Sequence, residues 1–251
     1  MDQRSKLYGV LALALISLSG CKEGSKEKDQ PKEFTLAQQV IGVKEGQFDR
    51  IELEHTSVSD ADLKALEPDD RLQALVLHET TITDAGLPAI VKLTSLEHLK
   101  LDGAKITDAG LEQIAQLPNL KMLDLQDSEI TDAGLKTIAT IKGLQNLRIG
   151  SSKITDEGLE HLAALTDLRH LHIIDAPITD AGTAQIEKIE GLESLYVDHT
   201  KLTDEALDQL AEKKHLHIHK DSMHHGHGHH DEHDHEGHDH EGHDHDHDHK
   251  N

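Results

Sequence analysis

From His224 to His249, half of the residues are histidine. They are His224, His225, His227, His229, His230, His233, His235, His238, His240, His243, His245, His247 and His249, separated mostly by Asp, Glu and Gly. A neutral imidazole nitrogen suits Zn²⁺, Ni²⁺ and Cu²⁺. The interleaved carboxylates add oxygen ligands and offset the metal's charge. Many alternative four-ligand sets exist, so a stoichiometry above one is expected. The competing reading is a pH-responsive or merely low-complexity tail, since those carboxylates also hold histidine protons near neutrality. With no apolar residue to build a core, the segment reads as disordered when free. Catalysis has no visible carrier. His235-Glu236 and His240-Glu241 each have Asp at the fourth following position, so neither completes a zinc-protease H-E-x-x-H. There is no G-x-S-x-G and no glycine loop to cradle phosphate. The chain therefore reads as non-enzymatic, with no required cofactor.

The other reactive side chain is Cys21, the only cysteine. Before it, Arg4 and Lys6 lead into an apolar run from Tyr8 to Leu18, too short to span a bilayer and ending in small residues, which is the pattern of an export signal. The junction Leu18-Ser19-Gly20-Cys21 resembles the bacterial lipobox. That resemblance implies cleavage before Cys21 and a diacylglycerol on its thiol, a stable anchor in the cell envelope. By the same family's rule, Lys22 after the cysteine implies the outer membrane of a Gram-negative envelope. Residues 22–33 are polar and charged and read as a flexible tether. A formal net charge of −23 argues against nucleic acid and against anionic membrane surfaces as partners.

What positions any site in the middle of the chain is a repeat. ITDAGL occurs at Ile82, Ile106 and Ile130, ITDEGL at Ile154, ITDAGT at Ile178, LTDEAL at Leu202, and a weaker VSDADL at Val58, always 24 residues apart. A fixed period of this length means stacked supersecondary units. A second column pattern, L-x-x-L-x-L, runs through Leu96, Leu99 and Leu101 and recurs from Phe48 to Val197. Its period-2 ending predicts a short strand with one buried face. Trios such as Leu87, Ile90, Leu93 and Leu111, Ile114, Leu117 predict the helical half, with Thr107 as cap and Asp108 in the first turn. The recurring Gly86, Gly110, Gly134, Gly158 and Gly182 point to close approach of a neighbouring turn.

These columns resemble the leucine-rich repeat, over roughly residues 48–219. The small residues after the strand (Thr56, Thr80, Ala104, Ser128, Ser152, Ala176, Thr200) resemble the helix-bearing F-box-associated and bacterial GALA subtypes. The implied fold is an α/β solenoid, with parallel strands on the concave face and helices on the convex one. The expected organisation is signal peptide 1–20, tether 21–33, repeat domain with capping ends 34–219, and histidine-rich tail 220–251. Phe34 to Val43 should cap the N-terminal end. At the C-terminal end a strict 24-residue register would put His219 and Asp221 at core positions, while His215-Leu216-His217-Ile218-His219 alternates like an edge strand.

Outward strand residues should line the concave face, and its C-terminal half gathers Arg148, His170, His172, Ile174, Tyr196 and Asp198. Arg, Tyr and an exposed aliphatic are the composition of a protein-binding hot spot, so Arg148, His170, His172, Tyr196 and Asp198 are the candidate partner contacts. The plainer reading is a row of solvated strand positions, and a lesser one is a metal held by His170, His172 and Asp198. The scarcity of aromatics weakens sugar or single-stranded nucleic-acid binding. The expectation is an exported, lipid-anchored binding scaffold whose tail takes up divalent transition metal. The alternative is a metal buffer or delivery protein that the repeats merely dock. The repeat subtype also implies a ubiquitin-ligase-type receptor, which an export signal and the lack of an adaptor domain disfavour.

Overall fold

A computed structural model describes residues 35–54 and 57–220. The expected export signal and tether, with Cys21, and Phe34, Thr56 and the histidine-rich tail lie outside the described residues. Eight short strands form one parallel sheet in chain order. They are β1 (Arg50–Leu53), β2 (Ala74–Leu77), β3 (His98–Leu101), β4 (Met122–Leu125), β5 (Asn146–Gly150), β6 (His170–Ile174), β7 (Ser194–Asp198) and β8 (His217–Lys220). From β1 to β7 every pairing joins a residue to its equivalent 24 positions on, as in Ile51 with Leu75 and Leu147 with Leu171. The repeat and the register are thus one fact: each coil lies directly on the last.

The helical side holds α1 (Leu36–Lys44), α2 (Leu87–Ile90), α3 (Asp108–Ile114), α4 (Asp132–Ile138), α5 (Thr183–Ile186) and α6 (Asp204–Lys214). Coils between them use 3₁₀ turns, at Asp62–Ala65, Gly158–Ala164 and Asp180–Gly182. Leu159, Leu162 and Leu165 recur every third residue and all three are fully buried, but Leu111, Ile114 and Leu117 share that spacing in an α-helical coil, so spacing alone does not choose between the two turns. In most other coils a final three-residue hydrogen bond, such as Leu117 N–H to Ile114 C=O, closes the segment. Helices need 8–10 Å of separation and strands about 4.8 Å, so the stack bends with the sheet inside. The core between the two layers is a continuous column of Leu and Ile from Leu36 to Leu216.

The ITD phrase makes the joint between coils. The carboxylate of Asp84 accepts from the Thr107 backbone N–H at 3.0 Å and from its hydroxyl at 2.6 Å. The same pair of bonds joins Asp60 to Thr83, Asp108 to Thr131, Asp132 to Thr155, Asp156 to Thr179 and Asp180 to Thr203. Each threonine oxygen meanwhile accepts from an amide of the turn it opens, as Thr107 does from Ala109 at 3.3 Å. The threonine is a helix cap, as its sequence position implies. The aspartate does more than favour a helix dipole, because it reaches into the next coil.

This joint also accounts for the glycines. A Cβ on Gly86 would stand 2.5 Å from Asp60 Oδ1, and one on Gly134 would collide with Asp108 Oδ1. The first copy, with no coil before it, carries Asp62 at the glycine position. There Asp62 takes both donors of Ser59 itself, at 2.9 and 2.6 Å, and these bonds pull its carboxyl below the usual range.

One residue per coil turns left-handed after the strand: Glu79, Gly103, Asp127, Asp175 and His199. Ser151, next in that series, does not, and it is Ser151 rather than the expected Ser152 that is buried, donating to Ile130 C=O at 2.7 Å. In the regular coils Thr80 and Ser128 donate to carbonyls of the next coil, those of Asp102 and Gly150. This is a partial version of the ladder that Asn would provide.

The ends are closed differently. At the first, α1 begins with a capping box from Thr35 and Gln38. The Gln39 amide bonds both the N–H (2.8 Å) and the C=O (2.6 Å) of Glu52, so one side chain imitates a neighbouring strand on the β1 edge. At the last, the 24-residue register fails, as the alternation of His215 to His219 implied. α6 ends on a left-handed His215, and Ser194 pairs with His217, a step of 23 residues rather than 24. Ile218, not His219, therefore lies beside Leu195 and packs on the core. The cause is the regular α-helix of 11 residues, which consumes the coil differently from the shorter turns before it.

If the joint holds the stack, Thr131→Val strands Asp108 Oδ2 and the Ala133 amide. It should cost about 1–3 kcal/mol in urea unfolding, whereas Thr131→Ser should be nearly neutral. Gly134→Ala should destabilise, while Gly143→Ala, whose Cβ would have 3.8 Å to its nearest neighbour, should not.

Candidate functional site

The outward residues of β3 to β8 form a connected polar row. Asp124 lies between Lys100 and Arg148 on the flanking strands, and both cations approach its Oδ2 at 3.5 Å. Arg148 is held from a second side. With the Gln126 amide oxygen turned toward it, Nη2 and Nε donate at 2.5 and 3.1 Å. Next along the row, His172 Nε2 stands 2.6 Å from Asp198 Oδ2. The His172 and Tyr196 rings are tilted at 5.4 Å, and Tyr196 stacks on His219 at 4.5 Å and 10°. A shallow depression of about 190 Å³ opens above β4–β7, bordered by Met122, Asn146, Arg148, His170, His172 and Tyr196.

Of the five expected contact residues, four, Arg148, His170, His172 and Tyr196, border this depression. Asp198 does not present itself. It is 9% exposed and serves to orient His172. Ile174, expected as an exposed aliphatic, is also buried, because β5–β7 each run to five residues and draw that column under the rim. The metal reading of His170, His172 and Asp198 has no geometric support, since among the described residues no three His, Cys, Asp or Glu side chains converge as a metal set. Two contributors were missed. Met122 and Asn146 border the depression but stood in the sequence as unremarked members of one column. The alternation of His215 to His219, read from the sequence as an edge strand with a polar face, agrees with β8, which turns His217 and His219 outward.

Burial sets the protonation of this row. It pushes His172 below its ordinary value of 6.5, with Arg148 adding to the effect and Asp198 and Asp124 opposing it. Burial raises Asp124, against the pull of Lys100 and Arg148. The face therefore offers a fixed guanidinium, a His172 imidazole whose neutral form burial favours, and the flat ring of Tyr196: donors and flat surfaces suited to polar side chains and backbone of a partner.

The two shifts act oppositely on stability. A depressed histidine favours the fold above its ordinary value, and that contribution is lost as pH falls through about 6.5 and below. A raised aspartate favours the fold at lower pH, and its contribution is lost as pH rises through the raised value. His172→Gln removes only the first. Between about pH 7.5 and about pH 5.5 the wild-type urea midpoint should fall more than that of His172→Gln.

The leucine-rich-repeat family model matches residues 92–115 and 116–139. No curated protein matches the sequence. Among solved structures, an internalin (inlF) from Listeria monocytogenes is 21% identical with a TM-score of 0.52. The match covers 69% of this chain and 46% of that one, so this chain spans about half the length of that internalin. An internalin C2 (inlC2) from the same organism is 24% identical with a TM-score of 0.51, covering 69% of this chain and 81% of that one. Identities this low speak for the fold alone. The matched segments are two of the coils described above, and the coils on either side continue their register: the described chain is a leucine-rich-repeat solenoid.

Proposed function

We propose that this chain is a non-enzymatic scaffold that binds a protein partner on the C-terminal half of its sheet face. We read it as exported and anchored to the cell envelope through a lipid on Cys21, with a tail that takes up divalent transition metal. The observation that carries the partner reading is the prepared surface itself. Arg148 is fixed by Asp124 and Gln126, His172 is fixed by Asp198, and Tyr196 is braced by imidazoles on both sides. Side chains already held in place lose little entropy on binding, which is how a modest surface gains affinity. Leucine-rich-repeat domains typically work as protein-binding scaffolds, which favours the same reading. No helix among the described residues is long and apolar enough to cross a membrane, so the anchor reading rests on the sequence around Cys21. The metal reading rests on the thirteen tail histidines.

The decisive comparison is capture from envelope extract by four full-length proteins. A species retained by wild type should be lost with Arg148→Ala and with Tyr196→Ala, and kept by Lys213→Ala on the helical side. Retention by both sheet-face variants would remove the site from this surface. If deleting the tail alone reproduces the cellular phenotype of a full deletion, the buffer or delivery reading takes precedence.

A further inference from the structure

The chain carries a formal charge of −23, yet its sheet face from β3 to β8 does not share that sign. Two outward columns cross these strands, one from His98 to His217 and one from Lys100 to His219. Asp124 is the one acid in either column, and it is only 6% exposed. Lys100 and Arg148 both approach its Oδ2, so two cations share a single carboxylate and positive charge is left over. Burial raises Asp124 further toward its neutral form. Asp198, at the end of β7, is likewise buried, and Asp102, one residue past β3, sits 3.4 Å from His78 of the previous coil. A partner therefore meets cations and imidazoles here, with the balancing acids beneath them.

Such a surface selects by charge. An acidic segment is repelled by a strongly negative molecule except where the local field reverses. The planar guanidinium of Arg148 matches a carboxylate in shape, and the imidazole of His170, exposed at the border of the depression, donates at least one N–H in either protonation state. The depression itself, about 190 Å³, is smaller than the roughly 300 Å³ at which small-molecule pockets begin. It takes a side chain rather than a metabolite. The columns run across neighbouring strands about 4.8 Å apart, so an extended stretch of chain can follow them.

We propose that the partner segment received by this face is acidic: an extended stretch whose Asp or Glu side chain enters the depression and meets Arg148, with Lys100 adding to the field. This chemistry rests on the reading of the sheet face as a protein-binding surface and deepens it.

Two fluorescein-labelled peptides, one rich in Glu and the other with Gln in place of every Glu, are titrated with the full-length protein and followed by anisotropy. The Glu peptide alone should bind, and less tightly as salt shortens the reach of the field. Arg148→Ala should weaken it at least about tenfold. That change also strips Asp124 of a partner, so His170→Glu supplies a second reading: it leaves the Asp124 pairs in place, sets a carboxylate at the border, and should weaken the Glu peptide comparably. Lys213→Ala on the helical side should change nothing. No binding of the Glu peptide, or binding that survives both sheet-face variants, would overturn the proposal. Equal binding of the Gln peptide, lost with Tyr196→Ala, would overturn the charge preference and leave the partner surface standing. Envelope capture that survives both Arg148→Ala and Tyr196→Ala would instead remove the partner reading beneath it.

Discussion

The carboxylate–threonine joint between consecutive coils is the constraint from which the rest of this structure follows. It satisfies the amide at the start of each turn, fixes the threonine hydroxyl that caps it, and holds neighbouring coils at one spacing. The close approach it demands excludes a side chain at Gly86 and Gly134. Once the spacing is fixed, the leucine columns fall into register, and a parallel sheet is the only way their strands can lie. The hydrophobic core supplies most of the stabilising free energy. The joint supplies uniqueness of register, which greasy columns of equivalent leucines cannot provide by themselves.

A surface built this way is regular in backbone and free in side chains. Each outward position is flanked by its equivalents on both sides, so charges on the face act as a row rather than as isolated points. Asp124 illustrates it: one buried carboxylate orders a lysine and an arginine on opposite strands. Asp198 does the same for His172. In both cases the acid is hidden and its partner is displayed, which leaves a face of fixed donors on a chain whose formal charge is −23.

Nearly all of the architecture was legible in the sequence, because a repeat reports its own register. The strand positions, the buried trios, the capping threonines and the glycine column could be read from spacing alone. What could not be read depended on contacts between coils. Nothing within one copy of ITDAGL says that its aspartate serves the next threonine, although Asp62 in the glycine place of the first copy was a hint. The candidate surface was legible as a set of outward residues, and four of the five chosen border the depression. Burial of Asp198 and Ile174 was not, because strand length decides it and periodicity does not reveal strand length. The last strand was legible from its alternation, but its 23-residue step was not, because a full α-helix replaced the tighter turn there.

The joint has a consequence for how such a chain can change in size. Every interior unit brings one acid for its successor and one alcohol for its predecessor, so it is complementary to any copy of itself. Gain or loss of a whole unit between α1 and α6 leaves each acid facing an alcohol and each leucine in its column. Insertion of any other length within a turn breaks two joints at once. The ends obey a different rule, since Asp62 and the 23-residue step at β8 belong to coils with a neighbour on one side only. Length in this molecule is therefore inherited in steps of 24 residues, and growth is confined to the interior of the stack.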